Sequence, residues 1–395
     1  MRRKHNSRLF LLLFLGALSA FGPFVTDLYL PALPSISHWF SASPSAVQLT
    51  LTTSMAGLAI GQLLIGPISD KFGRKAPLTI SLVIYAISTV CIFFASSIEF
   101  FIAMRAVQGL ASAGGLVISR AVVSDIYSGH EMTRFFGLMM VVNGLAPILS
   151  PIGGSLLLEI TDWHGIFVVL SIIGVILFAA NFRFRESLPQ QCRASGSVFH
   201  AYGAYKMLIF YKKFMLFIAV QTFSMGAMFA YIAGSSFIFQ EFYGISAMAY
   251  SFCFAINGAG LVIGARCASF LQDAKALKTG VLGLFTASIL VACALNFRAP
   301  VFIVAACFFI MLLFTGFILP TASALAMNCG RKRAGSASAV LGFCPFFLGG
   351  VVSPLAGLGD IFFSTSLAIF ICAALALTAF FTAKRLKFIK RPSSQ

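Results

Sequence analysis

Charge is what this chain has least of. Only 10% of its 395 residues are Asp, Glu, Lys or Arg, just 11 of them acidic, whereas 59% are apolar and the mean hydropathy is +0.96. A soluble domain carries about 25% charged residues, so an ordinary water-soluble globule is excluded. The nine cysteines stand apart, with no CxxC and no partnering histidine spacing, so they read as small packing residues. A disulfide frame and a metal site are thereby set aside. Neither a phosphate loop ending in Gly-Lys nor an HExxH pair occurs, so enzymatic activity finds no support and no cofactor is expected.

Hydrophobic length is what the chain has in quantity. A helix needs about 20 mostly apolar residues to cross the hydrocarbon core, and such runs recur from end to end. Twelve are counted, at 9–33, 46–69, 77–97, 98–123, 133–158, 163–184, 214–239, 248–271, 279–297, 300–327, 335–358 and 361–383. They are too long and too uniformly apolar for the alternating strands of a barrel, and lipid leaves helices as the remaining solution. The fold class is all-α, a polytopic membrane protein with twelve transmembrane helices in two six-helix bundles.

A net charge of +17 invites a nucleic-acid reading, which the positions of the cations reject. Apart from Arg105 and Arg298, every Lys and Arg falls in one of seven short segments on one side of the spans. The opposite loops carry acids such as Glu99, Glu159, Asp162 and Glu241. That asymmetry follows the positive-inside rule and puts both termini in the cytoplasm, with an even number of spans. No nucleic-acid partner is expected; the lipid bilayer is. The basic head and apolar stretch of "MRRKHNSRLFLLLFLGALSA" mimic a secretory signal, but apolarity continues to Leu33, so this segment is read as the retained first span.

Spacing divides the spans in two. Residues 1–184 hold six and 214–383 hold six, joined by a connector at 185–213 and followed by a tail at 384–395. The connector reads in part as an amphipathic segment on the membrane surface, with Phe199, Tyr202, Tyr205 and Phe210 among its apolar contacts. Six plus six spans about a charged connector suggest two bundles facing a cavity, a transporter's layout.

Particular strings then narrow the reading. "GPISDKFGRKAPL", Gly66 to Leu78, resembles the G-x-x-x-D-x-x-G-R-[RK] loop signature of the major facilitator superfamily, matched at Gly66, Asp70, Gly73, Arg74 and Lys75. "DLYLPALP" from Asp27, "RAVQG" from Arg105 and "AGSASAVLGF" from Ala334 are similar to the drug/proton antiporters of the Bcr/CflA type. The family's span-five antiporter motif appears around Pro147 and Pro151 with Gly153 and Gly154, although two of its glycines are serines here, Ser150 and Ser155. The Trp-Arg pair usual at the start of span six reads Trp163-His164.

Asp27 and Arg105 are the only carboxylate and the only cation well inside any span. Asp27 lies about 13 Å below an outer end near Ile36, and Arg105 about 10 Å below one near Ile98, at 1.5 Å per residue. An unpaired charge in hydrocarbon costs several kcal/mol, so both should face an interior cavity as a direct or water-linked pair. In the family, spans one and four line that cavity together. Burial favours the neutral carboxyl and a guanidinium the ionised one, and that competition makes a proton switch. Arg105, always cationic, would bias proton release from Asp27, with Gln108 one turn inward.

In the signature loop, Gly66 and Gly73 are expected to turn, Asp70 to accept from backbone N–H groups at a helix start, and Arg74 to bridge to Asp125. The resemblance implies that this cluster latches against span eleven and sets state populations. Further polar cavity candidates are Tyr29, Gln48, Asn143, Gln221, Tyr231, Asn257 and Asn328, each in or beside a span. "GLAIG" from Gly57 and "NGAGLVIGA" from Asn257 read as close helix packing and not as a dinucleotide loop. The expectation is a secondary transporter working as a monomer, exporting small amphiphilic drugs or metabolites against protons by alternating access. A proton-coupled importer of a small nutrient is the alternative. The setting is a bacterial-type inner membrane.

Overall fold

The computed structural model describes residues 6–127, 135, 139, 146, 149–193, 202–329 and 334–386. Among the described residues the chain is helical, with short connections and no strand. The helices are α1 (Arg8–Asp27), α2 (Leu33–Phe40), α3 (Pro44–Phe72), α4 (Lys75–Phe93), α5 (Ile98–Ile126), α6 (Leu149–Ile160) and α7 (Trp163–Arg183). They continue with α8 (Tyr202–Ile209), α9 (Lys212–Phe237), α10 (Ala247–Ala268), α11 (Asp273–Asn296), α12 (Val301–Cys329), α13 (Ala334–Leu355) and α14 (Ile361–Arg385). Among the described residues, ten helices are long and apolar enough to cross a membrane. The pair Arg8–Gly22 and Phe24–Phe40, bent by 41°, makes an eleventh span when taken as one. Helix α6 holds the end of the expected span 133–158, most of whose earlier residues lie outside the described ones.

Span one runs further than its sequence suggests. Its expected end at residue 33 is instead a restart, because Pro31 and Pro34 sit at the first turns of a 3-10 segment, Leu30–Ala32, and of α2. Proline at such positions forfeits no helical hydrogen bond, so the chain continues until Ser41 turns left-handed at φ 49°. The bend falls between Gly22 and Phe24.

The chain forms two compact units, residues 1–42 with 53–201, and residues 43–52 with 202–395. In the first, α1 packs on α5 and α7, and α4 packs on the same two helices. Close approach replaces bulk where α3 crosses α5. A Cβ at Gly57 would strike the Ala106 carbonyl, one at Gly61 would lie 2.6 Å from the Leu110 carbonyl, and one at Gly109 would strike the Ser54 carbonyl. In the second unit, α12 packs on α9, α10 and α11, and α14 on α9 and α11. Gly264 of the "NGAGLVIGA" run admits the Leu313 carbonyl of α12, so those glycines serve helix contact.

Candidate functional site

Asp27 closes α1 and is buried, 8% exposed, at the level where the helix gives way to the proline-rich restart. Among the described residues its hydrogen-bond partner is Thr26, whose Oγ1 lies 3.0 Å from Asp27 Oδ1 and 3.1 Å from the Gly22 carbonyl. With the span ending at Phe40, Asp27 lies roughly 20 Å along the chain from that end, deeper than a count from Ile36 implies.

Arg105 is fully buried on α5. Its NH2 donates to the Val25 carbonyl at 3.1 Å and its NH1 to Gln108 Oε1 at 2.5 Å, while Nε has no partner among the described residues. The guanidinium carbon stands 4.2 Å from the centre of the Tyr29 ring and 6.0 Å from that of Phe167. Gln108 Nε2 donates to Thr89 Oγ1 at 2.8 Å, and Thr89 donates to the Tyr85 carbonyl at 2.7 Å. A buried polar line thus joins α1, α5 and α4.

Of the direct or water-linked pair expected of Asp27 and Arg105, the direct contact is not formed. The cation holds the backbone two residues before Asp27 and the ring two residues after it. Arg105 is held by a carbonyl, an amide and a π face in place of a carboxylate; a cation on an aromatic face is worth about 2 kcal/mol when desolvated. Gln108, expected one turn inward of Arg105, is bonded to Arg105 itself. Span five meets the same place, since a Cβ on Gly154 of α6 would strike the Leu28 carbonyl and one on Gly153 would lie 3.5 Å from Leu28 Cδ1. Pro151 is buried, and its carbonyl accepts from Ser155 Oγ at 2.7 Å. Pro147 and Asn143 lie outside the described residues.

The remaining cavity candidates are engaged between helices. Tyr29 is the ring beneath Arg105. In the second unit, Gln48 Nε2 donates to the Ala233 carbonyl at 3.0 Å, and its Oε1 is buried without a partner among the described residues. Gln221 Oε1 accepts from Ser323 Oγ at 2.9 Å, and the Tyr231 hydroxyl accepts from Asn257 Nδ2 at 3.1 Å. Asn328 is exposed.

The signature loop forms a second charged cluster, within the first unit. Gly73 has φ +91°, and a Cβ there would lie 2.5 Å from Glu186 Oε2. Gly66, expected to turn, is inside α3, where a Cβ would meet nothing closer than Val117 at 4.0 Å. Arg74 is nearly buried and grips Asp125 with two bonds, Nε to Oδ2 at 2.9 Å and NH2 to Oδ1 at 3.1 Å. Its NH1 donates to Ser69 Oγ at 2.8 Å and to Asp70 Oδ1 at 2.5 Å. Burial alone would lower the Arg74 guanidinium, but hydrogen bonds and charge from Asp125 and Asp70 outweigh it and hold it above its ordinary value.

Asp70 does not cap a helix start, as expected; it sits in the last turn of α3 and accepts from Arg74. Glu186, read from the sequence only as connector charge, takes that role. Its carboxylate accepts from the backbone N–H of Arg74 at 2.9 Å, Lys75 at 3.1 Å and Leu188 at 3.0 Å. Ser187 Oγ donates to Asp125 Oδ2 at 2.8 Å, and Lys75 Nζ donates to the Phe182 carbonyl at 3.1 Å. The available signal was α4 itself, which opens on Gly-Arg-Lys with no capping side chain of its own and so needs an acceptor from elsewhere.

The family model described as Major Facilitator Superfamily matches residues 9–354. A Bacillus subtilis protein called uncharacterized MFS-type transporter YdgK is 36% identical over 362 residues, which are 90% of each chain. A Haemophilus influenzae bicyclomycin resistance protein homolog is 27% identical over 365 residues, 89% of this chain and 90% of the other. Among solved structures, a bacterial homolog of the human lysosomal transporter Spinster, inward-facing and unoccupied, superposes with a TM-score of 0.75 at 14% identity, covering 98% of this chain and 100% of its own. Helical spans, signature loop and matched length agree, and the chain belongs to the major facilitator superfamily.

Proposed function

We propose that this superfamily member is a proton-coupled exporter, which moves small amphiphilic drugs or metabolites out of the cell against protons by alternating access of two six-helix bundles, residues 1–184 and 214–383. Asp27 carries the proton. It takes one up while the cavity opens outward and releases it to the cytoplasm when substrate enters. The observation that carries the reading is a membrane-buried carboxylate without a counter-ion among the described residues, whose flanking residues, Val25 and Tyr29, both hold the buried cation of α5. An ionised carboxylate in that setting costs several kcal/mol, so a change of surroundings during the cycle changes its protonation. Moving one charge down the membrane potential yields about 2.3 kcal/mol per 100 mV, enough to sustain a modest uphill gradient. The printed name of the Haemophilus relative supports a drug as cargo.

In proteoliposomes with an imposed pH gradient, a panel of amphiphilic compounds should release protons on addition, and Asp27→Asn should abolish coupled flux while retaining substrate binding. Full coupled flux in that variant would end the assignment of Asp27.

A further inference from the structure

The connector enters the second unit through α8 and reaches α9 across only Phe210 and Tyr211. Backbone bonds fix that step, from Phe210 N to the Lys206 carbonyl at 3.3 Å and from Tyr211 N to the Leu208 carbonyl at 3.0 Å. Leu208 points inward and is 6% exposed, where α8 rests on α9 and α13. On the other side Met207, Ile209, Phe210 and Tyr211 are 61%, 53%, 74% and 45% exposed. Four large apolar side chains do not stand together in water at a loop without a reason. Lys206 and Lys212 are exposed among them, Lys213 follows, and no Asp or Glu occurs anywhere from residue 187 to residue 240. Because α9 starts as a membrane-crossing helix at Lys212, the whole patch stands where hydrocarbon gives way to headgroups.

We infer that the surface formed by Lys206, Met207, Ile209, Phe210, Tyr211 and Lys212 docks on the membrane and selects anionic phospholipid, its apolar side chains entering the acyl boundary and its lysines engaging headgroup phosphates. Apolar burial alone would bind any lipid. Two exposed lysines within a stretch free of acids add a preference for negative headgroups, at about five-fold per lysine. A protein partner is the less fitting occupant, because the patch lies at the membrane boundary of a spanning helix.

The test uses the full chain in nanodiscs of phosphatidylcholine with a minor share of phosphatidylglycerol, with Phe210→Trp as reporter and bromine on the acyl chains of one lipid at a time. Signal is read as the difference from wild type, whose Trp39 and Trp163 lie in the first unit. At equal mole fraction, brominated phosphatidylglycerol should quench the added indole several-fold more than brominated phosphatidylcholine. Lys206→Gln with Lys212→Gln should remove the excess, as should salt at about 1 M, where screening acts within 3 Å. No quenching by either lipid would overturn the proposal in favour of a surface for a protein or for water. Equal quenching by both, with the lysines intact, would reduce the contact to unselective apolar insertion and overturn it too. Should the lysine variant fail to fold, native mass spectrometry of the wild type decides: retained lipid should be enriched in phosphatidylglycerol and lose that enrichment in salt, and unenriched lipid overturns the proposal.

Discussion

Two buried arginines of the first unit solve the problem of charge in opposite ways. Arg74 collects carboxylates, Asp125 through two bonds and Asp70 through one, whereas Arg105 collects a carbonyl, an amide and an aromatic face. The second arrangement depends on the planar fork of a guanidinium, which an ammonium cannot reproduce. Arg105→Lys keeps the charge but cannot span Val25 and Gln108 while stacking on Tyr29, so proton-coupled flux should fall roughly ten-fold or more. Flux per mole of folded protein in proteoliposomes measures this, and wild-type flux would mean that charge alone suffices. For Arg74 the linkage runs the other way from an acid. A group raised on folding contributes stability that is complete below its unfolded pKa and lost as pH climbs through the folded one. For arginine both lie far above the working range, so this cluster should give no alkaline step in thermal stability up to about pH 10. Arg74→Lys brings that loss down toward the lysine range near pH 10.4. Coincident melting-temperature profiles of wild type and variant across alkaline pH would refute the account.

Elements explain why two glycines of one motif differ. Gly66 is helical and has room for a methyl, with Val117 nearest at 4.0 Å, so Gly66→Ala should be neutral or gain up to about 0.5–1 kcal/mol from the better helix former. Gly73 ends α3 at φ +91° against Glu186, so Gly73→Ala should lose about 1–2 kcal/mol or more through strain and displacement of the cap. Thermal unfolding of the two variants in detergent separates them, and similar shifts would contradict the geometry. Composition and the loop signature make both positions visible, but only the hand of the backbone tells them apart. The long apolar helices were legible because lipid forces each span to satisfy its own backbone, so length and hydropathy suffice. The end of span one was not, since Pro31 and Pro34 look like a stop in one dimension and act as helix starts in three. Arg74 and Asp125 were found because their charges had few alternatives. Glu186 was missed because a capping contact across more than a hundred residues leaves no periodic trace.

At the scale of the molecule the cations make the strongest statement about how the chain lies in its membrane. With Arg105 set aside as internal, Arg298 is the one Lys or Arg outside the basic segments. It is fixed by Asp360 at 3.1 Å and by the rings of Phe242 and Phe362, at 4.9 and 4.8 Å, so its position is ordered. Cys192, by contrast, stands exposed in the connector, between Arg185 and Lys206. If basic segments face the cytoplasm, as insertion energetics demand, these two sites lie on opposite sides of the bilayer. In intact cells a membrane-impermeant maleimide should therefore leave Cys192 unlabelled until the membrane is permeabilised. A cysteine introduced by Ala299→Cys, beside Arg298 in the α11–α12 connection, should react at once. The maleimide would be applied in a background where the other exposed cysteines, Cys267 and Cys293, are replaced by serine. Labelling of Cys192 from outside would invert the orientation, and with it the side from which Asp27 is proposed to take its proton.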